Sequence, residues 1–373
     1  MHTSSTPHPT GHRSARILLA GMALALAAGC TTTRQATQTP AAPQPTSPAW
    51  SFVAQTAEMP AGVYQSVYSP RTQQLYAAAA VGRPPVKTSS LFVIDPASLH
   101  IVNAITPAAQ ASRTDGQVQA VYGLTVDETR GQIWATNTRS GSVAVYRQSD
   151  LSLVKQFPDE VTPHARDVVI DTAHRRAYVS SPASNLIHVF DSVTLQQLPD
   201  IALTGAGDAP KPMSLALDAD HQRLYTVSLN TSEVFAVDTA SGRQVARYTV
   251  PGAQGGAGIA VDDKAQQIYV TAQKSGDLTV LDARNGEALR RIATGAGALN
   301  VAFDPMHRLA YVANRGAGSV TVVDDQGEIQ AQVNTGSAPN HIALDPQGTA
   351  WVMVKKSRND PRRDRLVRIE PRR

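Results

Sequence analysis

The chain has 373 residues, is 42% hydrophobic and carries a formal net charge of +4 at pH 7. Its single cysteine, Cys30, excludes a disulfide framework, a thioether-attached haem and a cysteine metal site. No linker rich in Pro, Ser or Gly divides the chain after residue 50, so the sequence predicts one folded domain there.

Residues 1–29 are predicted to be an export signal rather than part of the fold. Arg13 and Arg16 give a positively charged start, and the apolar stretch 17–28 is too short to span a bilayer. The stretch leads into Ala27-Ala28-Gly29-Cys30, which resembles a bacterial lipobox. We therefore expect cleavage before Cys30 and lipidation of that residue. The alternative is an ordinary signal peptide with an incidental cysteine.

Residues 30–49 are rich in Thr, Pro, Gln and Ala and show no apolar periodicity, which predicts an extended, solvated tether. The residue after the cysteine is Thr31 rather than Asp. In the lipoprotein families where that sorting rule applies, this points to the outer membrane. The expected location is therefore periplasmic, with the chain anchored to a membrane only through its lipid and at the outer membrane.

The rest of the chain, residues 50–373, contains one strand motif seven times, each copy centred on an aromatic residue. The separations between successive copies run from 40 to 58 residues. Short strands repeated at this period predict an all-β fold, a seven-bladed β-propeller with four-stranded antiparallel blades. Because the aromatics share one position in the blade, we expect them to pack in the core. They are Tyr76, Trp134, Tyr178, Tyr225, Tyr269, Tyr311 and Trp351.

Blade six shows the unit most clearly, with strands predicted at 299–305, 309–314, 319–324 and 329–335, separated by Asp, Gly and Pro turns. Blade seven has sequence for only three strands. Residues 50–58 precede blade one and belong to none of its four strands. We therefore predict that they pair with residues 366–369 and close the ring, which also hides the sheet edges.

Strand order assigns the loops to two faces of the ring. One face receives an aspartate at the end of most inner and third strands, and we call it the acidic face. Aspartates of this kind usually cap tight turns, so we interpret them as turn residues rather than metal ligands.

The opposite face, which we call the basic face, collects Lys and Arg from loops of several blades. Blades one and seven are neighbours in a closed ring, so their basic loops are expected to merge into one patch that attracts polyanions. The predicted anion-binding residues are Arg83, Lys87, Arg139, Arg166, Lys211, Lys274, Arg315, Lys355, Lys356 and Arg358.

The strands YVTA and YVAN, followed by VxVxD and a turn, resemble the YVTN-type propeller repeats of bacterial surface and periplasmic proteins. Over nearly the whole exported body the chain more closely resembles the YncE-like periplasmic seven-bladed propellers. The segments AGVYQSVYSPRTQQLYAAAA and SAPNHIALDPQGTAWVMVKK and the final strand RLVRIEP carry this resemblance. It implies an exported protein without a cofactor, and single-stranded DNA binding is associated with the family. No short binding motif can be transferred, so the site residues above rest on charge and loop position.

These observations favour a non-catalytic binding module for an anionic polymer, with single-stranded DNA as the sharpest case. Tyr122 is the one aromatic side chain predicted near the basic face that could stack on a base. A cell-envelope scaffold that binds protein or peptidoglycan is an alternative. A propeller hydrolase or lactonase is another, although no recognised motif links its candidate residues. Those candidates are His164, Arg166, Asp167, Asn300, Asn340 and His341.

Overall fold

The computed structural model describes residues 50–357, 360 and 362–373. The predictions for the export signal, the tether, Cys30 and Arg358 therefore lie outside the described residues. The described residues form 28 β-strands in seven four-stranded antiparallel sheets. The innermost strands of successive sheets contact one another, and those of the last and first sheets also meet. The sheets are therefore the blades of a closed seven-bladed β-propeller, as predicted.

The first three blades follow the chain in order from the inner strand outward. Blade one consists of β2 (Val63–Ser69), β3 (Gln74–Val81), β4 (Thr88–Ile94) and β5 (Ile101–Ile105). Blade two consists of β6 (Val121–Asp127), β7 (Gln132–Asn137), β8 (Ser142–Arg147) and β9 (Leu153–Gln156). Blade three consists of β10 (Val168–Asp171), β11 (Arg176–Ser180), β12 (Leu186–Asp191) and β13 (Gln197–Ala202).

The next three blades repeat the same order. Blade four consists of β14 (Pro212–Asp218), β15 (Arg223–Ser228), β16 (Glu233–Asp238) and β17 (Arg243–Thr249). Blade five consists of β18 (Gly256–Asp262), β19 (Gln267–Ala272), β20 (Asp277–Asp282) and β21 (Ala288–Ala293). Blade six consists of β22 (Ala298–Asp304), β23 (Leu309–Asn314), β24 (Ser319–Asp324) and β25 (Ile329–Asn334).

Blade seven combines the two ends of the described chain. It contains β26 (Ala338–Leu344), β27 (Ala350–Lys355) and β28 (Asp364–Arg372), and its outer strand is β1 (Ser51–Met59). β1 pairs antiparallel with β28 along its whole length, from Ser51 opposite Arg372 to Met59 opposite Asp364. The predicted closing strand is confirmed, and its pairing is longer than the four residues proposed from the sequence.

The closing segment also reaches the neighbouring blade. The ring of Trp50 lies edge-on to His307, with centroids 5.4 Å apart. Phe52 lies edge-on to Tyr311, with centroids 6.5 Å apart. Both partners belong to blade six, so residues near β1 hold two blades together as well as completing one.

The seven aromatic residues of the repeated motif are core residues, as predicted, and none is more than 2% exposed. They pack between blades. Trp134 of blade two contacts Phe190 of blade three, with ring centroids 6.2 Å apart. The hydroxyl of Tyr178 in blade three donates to the carbonyl of Thr239 in blade four, 3.5 Å away.

Aspartates at the ends of the inner strands cap the turns of the acidic face. The carboxylate of Asp127 accepts the N–H of Arg130 at 3.0 Å, and Asp171 accepts that of His174 at the same distance. In the described part of the chain, no group of three or more His, Cys, Asp or Glu side chains could hold a metal ion. Nor do the described residues include a helix with the length and apolar character needed to cross a membrane.

Candidate functional site at the channel mouth

The seven inner strands line a central channel, and polar side chains within or immediately before four of them connect the blades. Each accepts a backbone N–H from the inner strand of the next blade. The donors are Leu124, Leu215, Ile342 and Ser66, at 3.1, 3.0, 2.9 and 3.4 Å. We call the acceptors the inter-blade belt, and they are Gln65, Asp167, Asn300 and His341.

The belt explains three of the residues that the sequence offered as candidates for hydrolysis. Desolvation at the channel wall, together with the charge of Arg166, lowers the pKa of His341 to about 3. Desolvation raises the pKa of Asp167 even though Arg166 acts in the opposite direction. No hydrogen bond between described residues joins His341 to Asp167, and both are occupied by backbone donors. The arrangement orients strands rather than an acid–base pair.

Blades two and five carry glycine at the position of the belt because the neighbouring backbone leaves no room. A Cβ atom on Gly258 would lie 2.7 Å from the Cα atom of Asn300 and 2.9 Å from the backbone N of Val301. One on Gly123 would lie 2.6 Å from the carbonyl oxygen of Arg166. The close approach of adjacent inner strands therefore leaves no room for a side chain at this position in blades two and five.

The channel opens on the basic face into a cavity of about 280 Å³, and we call this opening the mouth. Several of its lining residues stand one position before the belt on their strands, and the others come from loops. None carries a carboxylate. The lining consists of Tyr64, Tyr122, Thr138, Arg139, His164, Arg166, Gln273, Leu299, Arg315 and Asn340.

Two of the three arginines that line the mouth are held by uncharged groups. Arg139 donates from Nε to the hydroxyl of Tyr122 at 3.1 Å. Arg315 donates to the amide oxygen of Asn340, whose nitrogen donates to the carbonyl of Tyr64 at 3.0 Å. These contacts orient the guanidinium groups without neutralising them.

Lys355, the last residue of β27, adds a cation at the rim of the mouth. Its Nζ atom lies 3.2 Å from the centre of the Tyr64 ring, a cation–π contact. Partial burial and the charge of Arg315 lower the pKa of Lys355 to about 7, although Asp364 acts in the opposite direction. The carboxylate of Asp364 is itself bound by the backbone N–H groups of Gly62, Val63 and Lys356.

No ion pair joins any of the nine described residues of the predicted set to another described residue. Other arginines behave differently, as when Arg130 pairs with Asp127 at 2.9 Å and Arg365 with Asp360 at 3.2 Å. The positive charge of the mouth therefore has no internal counter-charge in direct contact. A concave surface of one sign focuses its field and favours an anionic ligand.

Two tyrosines lie side by side at the mouth, with ring centroids 4.0 Å apart and planes tilted by 55°. Tyr122 was proposed from the sequence, but Tyr64 was missed. The signal was present, because VYQ at the start of β2 and VYG at the start of β6 place tyrosine at the same strand position. Lys355 contacts the ring of Tyr64, and the guanidinium carbon of Arg139 lies 5.7 Å from the Tyr122 centroid.

The structure brings only part of the predicted set together. Arg139, Arg166 and Arg315 line the mouth, and Lys355 lies at its rim. The remaining described residues are exposed in loops outside the cavity. No hydrogen bond or ion pair in the described part connects the side chains of Arg83 or Lys87 to the mouth, so the merger of their loop with that of blade seven stays a prediction. The exposed residues are Arg83, Lys87, Lys211, Lys274 and Lys356.

Comparison with curated proteins finds relatives over most of the chain. The uncharacterized protein YncE of Salmonella typhimurium strain LT2 is 29% identical over 311 residues, which cover 79% of this chain and 83% of the relative. The uncharacterized protein YncE of Escherichia coli strain K12 is 27% identical over 328 residues, covering 83% and 88%. No family model matches the sequence.

Among solved structures, a chain of the hydrazine synthase of Kuenenia stuttgartiensis is similar, with a TM-score of 0.65 and 17% identity. The match covers 80% of this chain and 94% of that one. At this identity the likeness shows the propeller fold alone. The YncE relatives and the seven closed blades together confirm the resemblance drawn from the sequence: the chain is a seven-bladed β-propeller that is similar to YncE over about four fifths of its length.

Proposed function

We propose that the protein is a non-catalytic binding module that holds an anionic polymer, and that single-stranded DNA is the most specific candidate for this polymer. One observation carries the proposal. Arg139, Arg166, Arg315 and Lys355 converge on the mouth of the channel, where no carboxylate lines the cavity. The resemblance to YncE-like propellers, with which single-stranded DNA binding is associated, favours the same ligand.

The positive charge of the mouth determines how the affinity for a polyanion depends on salt and on base sequence. Guanidinium groups match phosphate oxygens in geometry and stay charged at any physiological pH. The neutralised phosphates release counterions, so affinity falls steeply with salt and depends little on base sequence. The exposed cations Arg83, Lys87, Lys211, Lys274 and Lys356 on the same face extend the contact along the polymer.

We further propose that the protein works in the periplasm, anchored at the outer membrane by a lipid on Cys30. The motif at residues 27–30 supports this location. Metabolic labelling with a radioactive fatty acid tests it. Label is expected on the wild-type chain and none on Cys30→Ala, whereas equal labelling of both would refute lipidation at this residue.

Fluorescence anisotropy with a labelled thymidine oligonucleotide tests the proposed ligand. We expect binding at about 50 mM salt that weakens at least tenfold by about 200 mM, as for other proteins that neutralise several phosphates. Arg166→Ala and Arg315→Ala should each weaken binding. Arg243→Ala is the matched control, because Arg243 is exposed, lies at the acidic face and has no ion pair with a described residue.

Absence of binding at low salt would reject the proposal. Equal loss of binding in Arg243→Ala and Arg315→Ala would also count against the mouth, because charge anywhere on the surface would then suffice. Capture of a specific envelope protein that is unaffected by Arg315→Ala would favour the scaffold alternative instead.

A further inference from the structure

We propose that the mouth binds a terminal phosphate monoester, so that the end of the polymer enters the mouth while the exposed cations of the basic face contact the strand beyond it. This inference rests on the proposed function for its polymer and on the same site for its chemistry. Beyond the proposed function, it specifies which part of the polymer enters the channel.

The size of the cavity is the first step. At about 280 Å³, it lies just below the range of about 300–1,000 Å³ that is typical of pockets for drug-sized ligands. One phosphate with its sugar is of this scale. An internal segment of a strand would have to enter and leave through the same opening, which needs two chain passages. A terminus needs only one.

The charge of the lining is the second step. Three guanidinium groups reach the cavity from separate elements: Arg139 from the loop between β7 and β8, Arg166 from the start of blade three, and Arg315 from the loop between β23 and β24. A phosphate monoester carries about −1.5 to −2 charges near pH 7, whereas an internal diester carries one. Three arginines that form no ion pair with a described residue surround one small space, and they match the more highly charged group.

The third step concerns the two tyrosines, whose existing contacts favour an oxyanion over a base as the ligand of the mouth. Tyr64 is contacted both by Tyr122 and by the Nζ atom of Lys355. Tyr122 is contacted in turn by Arg139, through both its ring and its hydroxyl. A base entering the mouth would have to displace these contacts before it could stack on either ring. An oxyanion meets the guanidinium groups directly.

The remaining titratable group of the lining is compatible with this ligand. His164 lines the cavity, and desolvation together with the charges of Arg139 and Arg166 lowers its pKa. Its imidazole is therefore neutral near pH 7. A neutral imidazole can donate one hydrogen bond to a phosphate oxygen without adding to the repulsion among the arginines.

A competition experiment on the full chain tests the inference. One thymidine oligonucleotide is prepared in four forms: with a 5′-phosphate, with a 3′-phosphate, with hydroxyls at both ends, and circularised. At least one terminal phosphate should improve competition about tenfold over the hydroxyl form, the effect of one charge-assisted hydrogen bond of about 1.5 kcal/mol. The circular form should compete no better than the hydroxyl form. Arg315→Ala should abolish the tenfold advantage, and Arg243→Ala should keep it.

The outcomes separate this inference from the proposed function. Equal competition by all four forms would overturn the end-binding inference while supporting polymer binding. Failure of every oligonucleotide to bind, with inorganic phosphate still binding in an Arg315-dependent way by calorimetry, would support a phosphate site and reject the polymer. If ribose 5-phosphate binds as tightly as the phosphorylated strand, the mouth recognises a sugar phosphate rather than the end of a strand, and the end-binding inference is wrong.

Discussion

The Nζ atom of Lys355 lies 3.2 Å from the centre of the Tyr64 ring. This contact joins the end of β27 in blade seven to the inner strand of blade one. It therefore lies where the two ends of the chain close the propeller, at the rim of the basic mouth. Because partial burial and Arg315 lower its pKa to about 7, Lys355 changes charge near neutral pH.

Anion binding should therefore weaken as the pH rises from about 6 to about 8, since Lys355 is charged below its pKa of about 7 and neutral above it. An oligonucleotide with hydroxyls at both ends keeps a constant charge over this range and is the right probe. Anisotropy titrations at several pH values measure the effect. Lys355→Arg should bind equally at both extremes, and Lys355→Met should bind at the lower pH as weakly as the wild type does at the higher.

His164 provides the control for that experiment. It also lines the mouth, but its pKa is lowered from 6.5, so its charge changes below most of the window. His164→Gln should keep most of the pH dependence. A Lys355→Arg variant with an unchanged pH profile would contradict the assignment to Lys355.

Acid should destabilise the protein through His341, whose pKa is about 3 in the folded state and 6.5 as a free side chain. Between these values the unfolded chain binds a proton that the folded chain does not, so stability decreases as the pH falls. His341→Asn retains an acceptor for the N–H of Ser66, as Asn300 does for Ile342 in the equivalent position. The difference between the melting temperatures at about pH 7 and about pH 4.5 should therefore be smaller in this variant than in the wild type. His100→Asn, at an exposed site, should keep the wild-type difference.

Gly258→Ala should lower the stability of the fold by about 1–3 kcal/mol, the cost of overpacking a tight site. The added methyl would meet the backbone of β22, which cannot move away as a side chain can. Chemical denaturation measures the change. Gly207→Ala is the matched control, because a Cβ there meets nothing within 4 Å. Equal stability of the two variants would show that the inner strands can separate.

Ala57→Asp should destabilise the closing strand by about 2 kcal/mol because it places a polar group against a hydrophobic cluster. Ala57 pairs with Leu366 and packs against the core between blades seven and one. Ala54→Asp on the same strand is the control, since Ala54 is exposed. Thermal melting should show a clear loss for the first variant and little change for the second. The same loss in both would mean that strand propensity, not burial, decides the result.

The fold could be predicted because one strand motif recurs seven times, so that a local sequence pattern also gives the number and order of the blades. The burial of Tyr178 and Trp351 followed from their shared position, and β1 followed from a blade that lacked a strand. The bounds of β22 and β25 differ from the predicted strands by one residue at their ends. Alternating strands and tight turns leave little freedom in where such elements begin.

The site was only partly predictable, because the order of the strands along the chain does not show which side chains contact one another. Arg315 and Arg83 look alike as basic loop residues, yet only Arg315 turns into the mouth, where Asn340 holds it. His341 and Asp167 looked like candidates for catalysis because the sequence does not show that backbone N–H groups of the neighbouring blade occupy them. These contacts depend on the approach of neighbouring blades.

The pairing of β1 with β28 also determines the direction from which the chain enters its fold. β1 begins opposite Arg372 and ends opposite Asp364, so it runs from the acidic face towards the basic face. Trp50, stacked with Arg373 at 4.4 Å, therefore marks an entry point on the acidic face. The entry point and the mouth therefore lie at opposite ends of the channel, and the strand that closes the ring begins on the side away from the arginines.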